Sequence, residues 1–356
     1  MNRVQKLMKE RALYIEARAL RAGAIAGVSS MAIALAYYLG SGANLVEITG
    51  EASMARASIY LAIAINFVLF AVMYRRGIRW RHENLKLPLP KRWVFWRDTL
   101  TLSFAHNVLL FAVLALVAYG MDHAFIGLAF DPYTASLVVG VVVGISTYVM
   151  LPAASNVTIE QIVAVLGTIL VGGVFVAMLT NGQADWWQVH FSYLGMAQSE
   201  AARAFNFTLI FSGLVILSLT ETIVNTLAPA LNKHHTEMKM RVIKGAFIFI
   251  AFALAGVGLF PYVEGTINAT LHNWSATALV IGFLFLIGTL KWTSPDLSAE
   301  FFTLSYVLAG SLVVCAVLFG KVGYLNLTAF ELLSFSICFA WLMLYLRNLA
   351  LLTEDA

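Results

Sequence analysis

The sequence predicts an all-α protein, a polytopic bundle of about ten transmembrane helices with both termini in the cytoplasm. Three observations carry that expectation. Of the 356 residues, 60% are hydrophobic and 12% are charged, against about 45–50% and about 25% in an ordinary soluble domain. Ten apolar runs recur along the chain, each near the ~20 residues that cross a bilayer. Lysine and arginine gather in alternate intervals between those runs. The composition excludes a water-soluble globular protein, a disordered chain and a disulfide scaffold. The two cysteines, Cys315 and Cys338, both lie in apolar runs and indicate no redox compartment.

In chain order the runs are 22–40, 56–74, 99–120, 132–151, 159–180, 203–227, 244–263, 270–290, 302–320 and 326–347. The longest polar interval, about 75–98, is too short to bury a core of its own. The expected organisation is a basic interfacial helix over 1–20, a first bundle of four spans over 21–155, and a second of six spans over 156–356. Val4, Leu7, Met8 and Ile15 can share one face of the 1–20 helix, with Lys and Arg opposite. Such a helix lies on the inner leaflet or simply extends span one. The charged stretch is too long for a cleaved signal peptide.

Orientation follows from the basic residues, which favour the cytoplasmic side. With the N-terminus inside, 20 of the 23 lysines and arginines are inside, and only Arg56, Arg203 and Lys321 fall outside. An even number of spans then returns the C-terminus to the same side. The outer intervals hold three basic and eight acidic residues, a formal charge of −5. That face attracts cations. Pro132, Pro152, Pro229 and Pro261 fall at span ends, and Trp80, Trp93, Trp96, Trp186, Trp187, Trp274 and Trp292 flank spans, where indoles prefer the headgroup layer. Trp341 lies near the inner end of the last span.

The inner hairpin 75–98 carries eight Lys or Arg with three tryptophans between them. A nucleic-acid patch can look like this, but these charges flank spans, so anionic inner-leaflet headgroups are the nearer partner. Arg75, Arg76, Arg79, Arg81, Lys91 and Arg92 are the expected contacts, and no nucleic acid is expected. Gly23-xxx-Gly27 and Gly140-xxx-Gly144 are small-residue pairs that let helices approach closely.

Residues 190–290 carry a further pattern. Ser192-Tyr193-Leu194-Gly195 is followed by Arg203, Phe205-Asn206 and Ser212-Gly213, then by Gly256, Gly258, Phe260-Pro261, His272 and Ala276. This resembles a bacterial multipass membrane family called only "domain of unknown function 998", whose Gly-rich helix ends in Phe-Pro before a histidine opens the next helix. The family usually has an acidic residue where Tyr193 stands. The resemblance implies membrane architecture over spans five to ten. It implies no chemistry, since the family's activity is unknown.

No Gly-rich loop ending in Lys-Ser or Lys-Thr, no His-Glu-x-x-His and no Gly-x-Ser-x-Gly is present, which argues against an ATP-driven pump and the common membrane hydrolases. His106 is the deepest ionisable candidate, about 8 residues or ~12 Å into span three. With Ser103 and Asn107 it marks a ligand path or proton relay; the alternative is a neutral histidine bonding a neighbouring helix. A haem is disfavoured, because bis-histidine ligation needs another deep histidine. Glu221 and Glu331 near span ends read as helix-bonded or snorkelling carboxylates. Asp122, His123, Asp131, His190 and His272, with Asp185 and Glu264, populate the outer face. Their types suit zinc, with His123 and His272 as the sharpest pair, though they lack ligand spacing and hydrated loops are the alternative. His234-His235 reads as a solvated turn. Three functions follow. The leading one is transporter- or permease-like handling of a small or lipidic molecule. The others are a non-catalytic membrane subunit with a fixed protein partner, and a metal-dependent lipid-modifying enzyme. Short loops and missing motifs disfavour an enzyme.

Overall fold

The computed structural model describes residues 3–85, 89–183, 185–196, 199–230 and 236–354. His234-His235, Lys86 and Lys233 lie outside the described residues. The chain is a helical bundle: α1 (Arg3–Gly40), α2 (Met54–Leu85), α3 (Arg92–Ala124), α4 (Pro132–Ser155), α5 (Ile159–Thr180), α6 (Glu200–Ala230), α7 (Thr236–Leu259), α8 (Ile267–Thr293), α9 (Ala299–Val317) and α10 (Leu327–Glu354). All ten are long and apolar enough to cross a membrane. Val28, Val68, Leu116, Val141, Phe252 and Val313 are large apolar residues left exposed on their flanks. A soluble monomer rarely exposes so much apolar surface, and lipid covers it without penalty. The protein is a multi-pass membrane protein.

Helix ends follow local chemistry. Asp131 caps α4: its carboxylate accepts from the backbone N–H of Tyr133 and Thr134, and Pro132 takes the first turn, where its missing N–H is no loss. Thr158 and Gln161 form a reciprocal capping box on α5. The run expected to reach 263 ends at Leu259, because Pro261 cannot continue the helix and biases Phe260 away from helical backbone. The ninth span closes through one π turn, Leu318–Val322, stopped by Gly323 at φ +70°. The basic segment 3–20 is the first part of an unbroken α1.

The chain divides into two compact units, 1–157 and 158–356. In the first unit the two small-residue pairs meet each other. A Cβ on Gly27 would stand 2.8 Å from the Gly140 carbonyl oxygen, and one on Gly140 2.8 Å from the Gly27 carbonyl oxygen. Only glycine lets α1 and α4 cross backbone to backbone there. Gly77 of α2 does the same against Ser155, whose carbonyl also accepts from Arg11 at 2.7 Å. A two-residue ladder, Val46–Glu47 (β1) with Ala129–Phe130 (β2), ties the α1–α2 and α3–α4 connections.

The second unit packs α5 to α8 in sequence, with α10 against α5, α6 and α9. Its centre is aromatic. Tyr345 is fully buried, 4.9 Å from the Trp341 ring and 6.1 Å from both Phe247 and Phe301. The Trp341 indole N–H donates to Ser305 Oγ at 2.9 Å. Trp341 is thus a core residue, while Trp93, Trp96, Trp187, Trp274 and Trp292 are exposed at helix ends or in loops.

Candidate functional site

Two connections and one helix of the second unit build a polar cluster. Between α5 and α6 the chain makes two 3-10 turns, Trp186–Gln188 and Phe191–Gly195. His190 precedes the second in extended conformation. The first N–H groups of such a turn have no partner within it. Glu331, one turn into α10, supplies the acceptor: its carboxylate accepts from Phe191 N (2.7 Å), Ser192 N (3.2 Å) and Ser192 Oγ (2.7 Å). Asn206 of α6 donates to the Gly195 carbonyl at 2.9 Å and closes the turn's other end.

The α7–α8 connection adds two rings. His272 of α8 reaches back with Nδ1 to the Phe260 carbonyl oxygen, 2.9 Å away. Tyr262 stands edge-on between the histidines, its ring 5.1 Å from His190 and 5.9 Å from His272. Both imidazoles are buried.

These groups close one end of a cavity of about 560 Å³. Asn273 and Ser334 join that end. The remaining wall is mostly apolar, including Leu170, Leu254, Val280, Phe283, Phe335 and Leu342, with Thr277 as a further polar residue. From Glu331 to Leu342 along α10 is about three turns, or ~16 Å. That is roughly half the ~30 Å hydrocarbon thickness of a bilayer. The charged and imidazole groups thus gather toward one end, beside Phe191, Leu327 and Phe330, and the lining further along α10 is mostly apolar.

The hydrogen bonds fix proton positions. A carbonyl can only accept, so His272 Nδ1 carries the hydrogen. The Ser192 hydroxyl donates to Glu331, so its oxygen accepts from His190 Nδ1–H at 3.2 Å. Neutral imidazole has one N–H, so both Nε2 atoms are bare acceptors, and neither has a hydrogen-bond partner among the described residues. Burial holds the His190 pKa below its usual value; Glu331 partly offsets this and His272 reinforces it. The Ser192, His190 and Glu331 arrangement is not that of a nucleophile with its base. There the serine proton goes to the imidazole, whereas here it goes to the carboxylate. What the cluster can do is accept hydrogen bonds.

The expected site residues divide accordingly. Ser103, His106 and Asn107 are buried on α3 against α2, and each bonds helix backbone, while Asn107 Oδ1 is buried without a partner among the described residues. Ser103 donates to the Phe67 carbonyl (2.8 Å), His106 Nδ1 meets the Leu102 carbonyl (2.8 Å) and Asn107 donates to the Ser103 carbonyl (2.8 Å). The His106 ring lies 4.5 Å from Phe70. None of the three lines the cavity described above.

Of the weak metal candidates, only His190 and His272 come together. Asp131 is committed to the α4 cap, which holds its pKa low. Asp122 accepts from Thr49 Oγ1 at 2.7 Å. His123 belongs to the first unit, exposed, bonded to the Tyr119 carbonyl and stacked on Tyr119 at 4.0 Å. His272 belongs to the second unit, where the histidine sharing its cavity is His190. Among the described residues no three His, Cys, Asp or Glu side chains are placed to hold a metal ion.

In the basic hairpin Arg76, Arg79, Lys91 and Arg92 are exposed. Arg75 instead covers the Phe95 and Trp96 rings, and Arg81 bonds Asn156. Glu221 pairs with Lys244 at 2.7 Å between α6 and α7. Glu331, which the sequence suggests is a helix-bonded or snorkelling carboxylate, is the centre of the polar cluster. Ser192, Tyr262 and Ser334 were not expected as site residues. Of these, only Ser192 stands in the 190–290 pattern.

Comparison with protein-family models, with curated proteins and with solved structures finds no match for the chain.

Proposed function

We propose that the chain is a permease-like protein of the cell membrane that takes up a lipidic molecule in the cavity of its second unit, with both termini cytoplasmic. One observation carries the reading. The cavity gathers His190, His272 and Glu331 at one end, and the lining over the ~16 Å from Glu331 to Leu342 is mostly apolar. Small-molecule sites are mostly apolar with a few convergent polar groups, and this division matches an amphiphile with its head at the membrane surface. The positive-inside distribution puts the polar end at the outer face. Ser192, Phe205, His272 and Ala276, four residues of the 190–290 pattern, line the cavity.

The test has two parts. Lipids extracted from the purified chain should include a species that Ala276→Trp, which fills the cavity, removes. The chain in proteoliposomes should then speed the crossing of fluorescent analogues of that species, read by quenching of the outer leaflet, and Ala276→Trp should not. Absence of any cavity-dependent lipid would overturn the proposal. A cavity-dependent lipid without flux would favour the accessory-subunit alternative.

A further inference from the structure

The polar end of the cavity has a definite chemical sign. His190 and His272 each spend their one N–H on the protein, on Ser192 Oγ and on the Phe260 carbonyl oxygen. What each imidazole can offer a ligand is the lone pair of Nε2. Glu331 adds a carboxylate. Ser334 Oγ, buried in the wall, has no hydrogen-bond partner among the described residues; as a hydroxyl it can accept as well as donate. No lysine or arginine is among the residues lining the cavity. A phosphate head would meet these lone pairs and a negative carboxylate; Asn273, Thr277, Tyr262 and Ser334 offer it neutral donors, but among the described residues no cation lines the cavity to offset its charge.

Resting on the reading of this cavity as an amphiphile site, we infer that it selects lipidic molecules whose head donates hydrogen bonds, a hydroxyl or an ammonium, and rejects phosphate heads. Two imidazole acceptors supported from behind take a hydroxyl without disturbing the fold. An ammonium gains the Glu331 charge in addition. Buried acceptors discriminate strongly because a head without donors leaves them unpaired after desolvation. The tautomers are locked by the protein, so the imidazoles cannot turn donor while neutral without breaking the bond to Phe260 or Ser192.

The experiment uses the full chain in nanodiscs and a fluorescent alkyl probe of the cavity. Three competitors of one chain length are compared at about pH 8, where imidazole is neutral: a monoacylglycerol, a long-chain amine and a long-chain alkyl phosphate. The alcohol and the amine should each displace the probe at least about tenfold more effectively than the phosphate, the worth of one good hydrogen bond. In Glu331→Gln, which also loosens the 190–195 turn, the amine should lose more than the alcohol does, and the preference over phosphate should shrink in His272→Phe and in His190→Phe. Phosphate displacing the probe as well as the other two would overturn the donor-head inference and leave the cavity reading standing. Failure of all three, with the probe itself unbound, would remove the cavity reading and this inference with it.

Discussion

Glu331→Gln tests whether one carboxylate holds the polar end of the cavity in shape. The carboxylate accepts three hydrogen bonds from the 190–195 turn, at 2.7, 3.2 and 2.7 Å. Bonds to a charged group contribute about 1.5–3 kcal/mol each. Glutamine keeps one carbonyl oxygen, so one or two acceptors are lost and the survivor is neutral. Glu331 is only half-buried, and water replaces part of the loss, so the net weakening is about 2–4 kcal/mol. Loss of the clamp should open the turn locally before it unfolds the bundle. The measurement is amide hydrogen exchange at Phe191 and Ser192, whose N–H groups are protected by these bonds. At 1.4 kcal/mol per factor of ten, their exchange should quicken roughly 30- to 700-fold. Amides at Ile216 and Leu219 in the α6 core should keep their protection. Exchange at 191 and 192 that rises less than about threefold, in a variant that still folds, would refute the clamp.

Gly27→Val should destabilise the first unit by about 1–3 kcal/mol or more, because the new Cβ would press on the Gly140 backbone at 2.8 Å; thermal unfolding in detergent reads it, and an unchanged midpoint would contradict the close crossing. Asn66→Leu should stabilise that unit by about 1–3 kcal/mol, since both amide atoms of Asn66 are buried with no partner among the described residues; a lower unfolding midpoint would count against it. His190 is held below its usual pKa, so between that lowered value and 6.5 the unfolded chain binds more protons and stability rises with pH. The unfolding midpoint should therefore fall from about pH 7.5 to about pH 5.5, and fall less in His190→Gln; equal losses in both would remove His190 as the cause. Single cysteines at Asn84 and Asp185, in a chain with Cys315 and Cys338 replaced by Ala, should label from opposite sides of the membrane with an impermeant thiol reagent, and labelling of both from outside would overturn the proposed orientation.

Most of the architecture was legible because a bilayer imposes a single requirement on every span, an apolar length near ~20 residues. Each of the ten runs therefore begins or ends within about four residues of a helix boundary, and several of these boundaries have a local cause, such as Asp131 and Pro132 or Thr158 and Gln161. Span lengths were legible less well where the helix outruns the membrane. The charged part of α2 reaches Leu85, and its apolar run stops near 74 because Arg75 onward is arginine-rich; the helix continues since Arg itself is a good helix former. The paired glycines of α1 and α4 were read as packing, but sequence carried no means of saying that they pack on one another.

The site was legible in its residue types and not in its grouping. His190 and His272 stand out for their chemistry, but the sharpest metal set the sequence offers pairs His123 with His272 and draws its acid from Asp122 or Asp131. Those acids had local work that only the backbone geometry reveals: a cap needs a carboxylate beside two free N–H groups, and Asp131 stands beside them. Glu331 had the opposite history. In sequence it is one acid near the start of a long apolar helix, which predicts a carboxylate bonded to nearby helix groups. Its partners instead lie some 140 positions earlier, at Phe191 and Ser192. A 3-10 turn that leaves N–H groups unpaired within a membrane protein must find an acceptor from another element, and a carboxylate on α10 is what this fold provides. Because that acceptor takes the Ser192 proton, Ser192 in turn accepts from His190, and the imidazole is left presenting a lone pair to the cavity. The acceptor character of the site thus follows from the turn's unmet backbone groups, through Glu331 and Ser192, to the atom that a ligand would touch.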